Sequence, residues 1–131
     1  MSPRDPEELE AAGAPVRAEL GDETTVGAVH LTVSDLGRSL DYYRAVIGLE
    51  VVRRDGQAAA LGVDGRELLV LVEEPGAAPA SGHTGLYHFA LLLPERVDLA
   101  RWLAHAARDQ VALTGASDHF VSEALYLNDP D

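Results

Sequence analysis

Gly85-Leu86-Tyr87-His88-Phe89-Ala90-Leu91 sets a single imidazole inside a run that otherwise reads as a β-strand, and Gly27-Ala28-Val29-His30-Leu31-Thr32-Val33 does the same earlier in the chain. In each, His follows Gly after two residues, strand-forming apolar residues come next, and a helical pattern succeeds the strand. Self-similarity of this kind marks an internal repeat. If the two halves are related by a two-fold-like operation, His30 and His88 occupy equivalent positions and converge on one point. Two converging imidazoles suggest a metal ion. A lone His in an apolar strand is ordinarily a hydrogen-bonded core residue, because an unpartnered buried imidazole costs on the order of 1 to 3 kcal/mol. The second His at the matching position shifts the reading toward a shared ligand role.

Working outward, the first strand occupies residues 25–33. Ser34-Asp35 supplies a helix N-cap, and Leu36, Leu40, Tyr43 and Ile47 recur at helical spacing until Gly48 ends the run. Extended pieces follow at residues 49–54, 58–63 and 67–72, divided by Asp55-Gly56 and Asp64-Gly65, a dipeptide that signals hairpins between apolar runs. The first unit, residues 25–74, is therefore β-α-β-β-β. Residues 75–84 are a linker by their Pro, Gly and Ser content. The second unit, residues 85–131, opens with a strand at 85–93 closed by Pro94. A helix at about 97–109 carries the apolar stripe Leu99, Trp102, Leu103 and Ala106, and strands follow at 113–116 and 121–127. The turn Asn128-Asp129-Pro130-Asp131 comes next, one strand short of the first unit. The expected fold is α+β: two β-α-β-β-β repeats forming a cupped mixed sheet, helices outside, the last strand missing. The uncovered edge near 121–127 predicts a truncated chain or a partner subunit, with a homodimer as the expectation. Residues 1–24 read as a mobile acidic arm, with one short helical piece at 7–12.

With 131 residues the chain is long enough for one domain with its own core. It contains no cysteine, which excludes disulfides, thiolate metal sites and cysteine nucleophiles. The formal charge of −12, from 22 acidic and 10 basic residues, repels phosphate backbones and argues against nucleic acid. No apolar run approaches the roughly 20 residues of a membrane span and no signal peptide is evident, so a cytoplasmic location is expected.

The repeat, the two strand histidines and the Asn128-Asp129-Pro130-Asp131 turn together resemble the vicinal oxygen chelate superfamily of glyoxalases, bleomycin-resistance proteins and extradiol dioxygenases. The second half looks closest to catechol 2,3-dioxygenase-like proteins, whose pattern runs from a His through Ser-x-Ala to a Tyr and Asp-Pro-Asp. Here that pattern reads His119-Phe120-Val121-Ser122-Glu123-Ala124-Leu125-Tyr126-Leu127-Asn128-Asp129-Pro130-Asp131. The resemblance implies His30 and His88 as metal ligands, His119 and Tyr126 as catalytic groups touching substrate and oxygen, and Fe(II), or Mn(II) or another divalent ion, as cofactor. The substrate it implies is a small catecholic aromatic molecule cleaved beside its hydroxyls. It places the carboxylate ligand on a strand after Asp131, so these 131 residues lack it.

Two departures narrow the reading. Glyoxalase-type members carry a further carboxylate in the middle of the fourth strand, where this chain has Leu69-Val70-Leu71-Val72. Residues 68–74 also offer no additional His, and His83 sits on the linker at the wrong offset from His88. Two alternatives stand beside the dioxygenase: sequestration of a flat small molecule without turnover, and a glyoxalase-type isomerase or lyase. Of the remaining candidates, Tyr126 alternates with Ala124 and can equally be core, and His105 reads as surface. Tyr42, Tyr43 and Trp102 read as helix–sheet packing, and Tyr87 as facing out of the cup against a helix. Arg53 and Arg54 read as a solvated pair at a strand edge.

Overall fold

The computed structural model describes residues 20–78, 82 and 84–131. The short helical piece expected at 7–12 and the linker residue His83 lie outside the described residues.

The first unit is built as its sequence pattern requires. Strand β1 (Val29–Val33) alternates in burial, helix α1 (Leu36–Tyr42) follows, and β2 (Glu50–Asp55), β3 (Ala58–Val63) and β4 (Arg66–Glu73) complete the unit. The sheet order is β1-β4-β3-β2, with β1 parallel to β4 and the other pairs antiparallel. A parallel neighbour needs a crossover, and α1 with the β2–β3 hairpin provides it.

Two orphan amides at the start of α1 are satisfied by carboxylates. Asp35 Oδ1 accepts from Arg38 N at 2.9 Å, and Glu73 Oε1 at the end of β4 accepts from Leu36 N at 2.8 Å. A cap of this kind stabilises a helix by about 1 kcal/mol. The core lies between α1 and one face of the sheet, where Leu61, Leu69 and Leu71 are fully buried with Val33, Leu36, Leu40, Tyr43, Leu49 and Ala59. Each buried aliphatic side chain contributes roughly 1.5 to 3 kcal/mol.

The turns keep the register. Asp64 and Gly65 both take positive φ, 49° and 76°, between the paired residues Val63 and Arg66, as a two-residue hairpin with right-handed strand twist demands. Gly62, at the irregularity beside Leu61, has no room for a side chain, because a Cβ there would run into the carbonyl oxygen of Arg66.

The second unit departs from the expected repeat. It contains helix α2 (Arg96–Arg108) and an antiparallel pair, β5 (Gly115–Asp118) and β6 (Glu123–Tyr126), in a separate two-stranded sheet. The segment expected as its first strand, residues 85–93, joins no ladder, although Phe89, Leu91 and Leu93 are partly buried while His88, Ala90 and Leu92 are exposed. That period of two is the signature of an extended chain. The reason is topological: in the first unit β1 reaches β3 only through β4, which lies between them. No equivalent of β4 is present among the described residues of the second unit, so its extended segment and its hairpin have nothing to bridge them.

Contacts at both ends of the second unit tie it to the first. Phe89 and Leu91 pack against the core of the first unit. The Asn128–Asp131 turn is stapled to the start and flank of α1. Asp131 accepts from Ser34 N at 3.2 Å, Arg38 Nη2 at 2.8 Å and Ser39 Oγ at 3.3 Å, and also from Ser34 Oγ. Tyr42 Oη donates to the Asn128 carbonyl at 2.8 Å, and Tyr43 Oη to Asp129 Oδ2 at 3.0 Å. Burial, and then the charge of Asp129, push the Tyr42 phenol up to about 12 and raise that of Tyr43 further.

Candidate metal centre

His30 sits mid-β1 with its neighbours Val29 and Leu31 packed on the core, so strand alternation turns its imidazole to the other face of the sheet, where it is exposed. His88 obeys the same logic. Phe89 and Leu91 pack against that same core, and His88 and Ala90 are exposed. Both imidazoles thus point away from one shared core. The Tyr87 ring meets that of His88 edge-on, centroids 5.5 Å apart. Tyr87 does not lie against a helix as the sequence suggested; it is 96% exposed, because the strand pairing that would bury it is not formed.

Pair by pair across the sheet, the row containing His30 continues through Val70 and Ala60 to Arg53. Its middle residues, Val70 and Ala60, are apolar and buried. Arg53 at the far end is occupied by Glu67, Nε to Oε1 at 3.0 Å, an exposed pair that adds little to stability.

The other two expected site residues stand on the hairpin. His119 is exposed at its turn, its backbone N–H donating to the Ser122 carbonyl at 2.8 Å. Phe120, next in the chain, takes φ 67° and is held by its N–H to Asp118 Oδ1 at 2.9 Å. Tyr126 closes β6, pairs with Gly115 and remains 40% exposed, with its phenol outside the core.

Among the described residues no group of three or more His, Asp or Glu side chains is gathered closely enough to hold an ion. His30 and His88 therefore stand as two exposed imidazoles, one on each unit, and imidazole is a donor suited to a divalent ion. A cavity of about 330 Å³ opens between α2 and the hairpin, lined by Leu99, Leu103, Ala116 and Leu125 with Arg96 and Glu123. None of the four expected site residues lines it.

Two features escaped the sequence reading. Asp131 was legible only as a turn residue, although the spacing of Ser34, Arg38 and Ser39 along one helix could have signalled a polar docking edge. His105 is no free surface residue: it is partly buried, and its Nε2 lies 3.1 Å from the Ala45 carbonyl and 3.2 Å from that of Val46.

A mixed sheet with one helix on its face, a histidine on the opposite face and a second, similarly patterned unit defines an α+β domain. The chain belongs to the glyoxalase/bleomycin resistance protein/dioxygenase superfamily, which it matches over residues 25–131. It is 44% identical over 113 residues to the catechol-2,3-dioxygenase of Bacillus subtilis (strain 168), covering 84% of this chain and 39% of that protein. The chain thus spans about two fifths of the length of that curated relative. Solved structures with the same fold include a glyoxalase/dioxygenase from Nostoc punctiforme, with TM-score 0.67 at 18% identity over 89% of this chain and 92% of that one. A lactoylglutathione lyase from Agrobacterium tumefaciens gives TM-score 0.64 at 22% identity, over 84% and 89% of the two chains.

Proposed function

We propose that this chain carries two of the metal ligands, and the acid–base groups, of an extradiol-type dioxygenase acting on a small catecholic aromatic. The observation that carries the reading is the paired orientation of His30 and His88, each turned away from the core that its own strand neighbours build. The 44% identity to a protein named catechol-2,3-dioxygenase supports the dioxygenase over the lyase. So does the wholly apolar middle of β4, which lacks a further carboxylate.

In this reading His30 and His88 hold a divalent ion, Fe(II) or Mn(II), through ring nitrogens. Such an ion, once bound, would take the catechol oxygens and supply the redox centre that ring cleavage requires. His119 accepts and returns a substrate hydroxyl proton at a ring nitrogen, a task suited to a group whose free pKa lies near 6.5. The Tyr126 phenol donates a hydrogen bond to a substrate oxygen. A homodimer in the cytoplasm completes the proposal.

The test is equilibrium dialysis against Fe(II) under anaerobic conditions, followed by oxygen uptake with simple catechols. Stoichiometric binding and oxygen uptake, both lost in His30→Ala and in His88→Ala, are the expected result. Tight binding of aromatic ligands with no metal and no oxygen uptake would replace the dioxygenase with sequestration.

A further inference from the structure

The His88 segment is held without a ladder, so something other than strand pairing must fix it relative to β1. Its covalent neighbour is α2, joined through Pro94 and Glu95, just as α1 follows His30's strand through Ser34 and Asp35. Where α2 meets the first unit therefore helps set where His88 stands.

That meeting point is specific. After α1 the chain makes a π-helical turn, Tyr43–Ile47, in which Gly48 N and Leu49 N both bond the Tyr43 carbonyl at 3.0 Å. In an ordinary α-helix those two amides would have served the carbonyls of Arg44 and Ala45. The Ala45 carbonyl, freed by the widened turn, and the Val46 carbonyl at the helix end need donors, and α2 brings two. Trp102 Nε1 donates to the Val46 carbonyl at 3.1 Å, and His105 Nε2 stands between those of Ala45 and Val46.

Because carbonyls only accept, the His105 proton resides on Nε2. Its Nδ1 lies 2.9 Å from Arg108 Nη2 and 3.0 Å from Asp109 Oδ2. A neutral ring accepts from Arg108 and a charged ring donates to Asp109, so the Nε2–H clasp holds in either state.

We propose that His105, with Trp102, is a positioning residue: its clasp on the π-helical turn fixes the His88 segment against β1 and so sets the separation of the two histidines. This rests on the metal reading above for its purpose, though its geometry can be judged without metal. A site whose competent arrangement is only partly populated binds in proportion to that population, so loosening the clasp weakens the ion without touching a ligand.

The chain has no cysteine, so Thr32→Cys and Ala90→Cys, at exposed positions beside the two histidines, give a clean pair of spin-label sites. The inter-label distance distribution is expected to broaden or shift in His105→Ala and to return in His105→Gln, whose amide N–H reaches the same carbonyls. Zinc affinity by calorimetry on the unlabelled proteins should fall about threefold to tenfold in His105→Ala and recover in His105→Gln. Far-ultraviolet circular dichroism, which reads the backbone and not the clasp, shows that each variant is folded. An unchanged distance distribution in folded His105→Ala overturns the clasp, whatever happens to its Tm. A wild-type protein that binds neither zinc nor Fe(II) overturns the metal reading instead, and the distance distribution alone then decides the clasp.

Discussion

Oδ1 of Asp131 lies 2.8 Å from Nη2 of Arg38, 93 positions earlier, and the same carboxylate is shared with Ser34, just ahead of the helix that follows the His30 strand, and Ser39 on that helix. Hydrogen bonds from Ser34 and Arg38 hold this carboxyl below its ordinary value, although burial acts in the opposite direction. A depressed folded-state pKa contributes stability that is fully present above the unfolded value and lost as pH falls through the folded one. Asp131→Asn should lower stability by about 1 kcal/mol at pH 7, since the pair is partly solvated. The deficit should shrink below about pH 4, where wild type loses the same interaction. Urea unfolding at the two pH values measures it.

Tyr43 makes the mirror prediction at high pH. Its phenol is raised by burial first and by Asp129 second, so its contribution is complete below about pH 10, the free phenol value, and disappears as pH climbs toward the folded value. Tyr43→Phe should cost about 1 kcal/mol at neutral pH and less in alkali. Absorbance titration of wild type should show the Tyr42 phenol ionising only near 12.

Gly62→Ala sets a methyl against the Arg66 carbonyl, a backbone atom that cannot swing aside. Overpacking of this kind costs typically about 1 to 3 kcal/mol, and the upper end is expected because β3 must shift against β4. Thermal unfolding reads it directly. Unchanged stability would mean that the turn can open without cost.

In the proposed chemistry His119 and Tyr126 touch substrate and not the ion. His119→Ala and Tyr126→Phe should keep Fe(II) binding within about twofold, while oxygen uptake falls by about 10²-fold or more for His119. A loss of metal retention in either variant would move that residue into the ligand set.

The first unit was legible because each of its signals is local. Asp35 before Leu36, the Asp64-Gly65 pair and the alternation around His30 each specify a backbone state within a few residues. The segment around His88 carries the same local alphabet and reads as a strand for the same reason, but a strand is a pairing between segments, and alternation cannot name the partner. The π-helical turn at Tyr43 was invisible because Leu36, Leu40, Tyr43 and Ile47 satisfy an α-helical spacing equally well. His105 looked like surface because its value lies in two carbonyls about 60 positions away.

The Asn128–Asp131 staple also bears on the order in which the molecule assembles. Its bonds to Ser34, Arg38, Tyr42 and Tyr43 span 86 to 97 positions, whereas the hairpins of the first unit close over a few residues. Closing a loop of that length costs entropy before any bond rewards it, so the first unit forms early and the staple late. Contacts made after the transition state govern escape from the native state and not arrival at it. Loss of Asp131 should therefore leave the refolding rate nearly unchanged and speed unfolding, which makes this carboxylate the latch on the lifetime of the folded molecule.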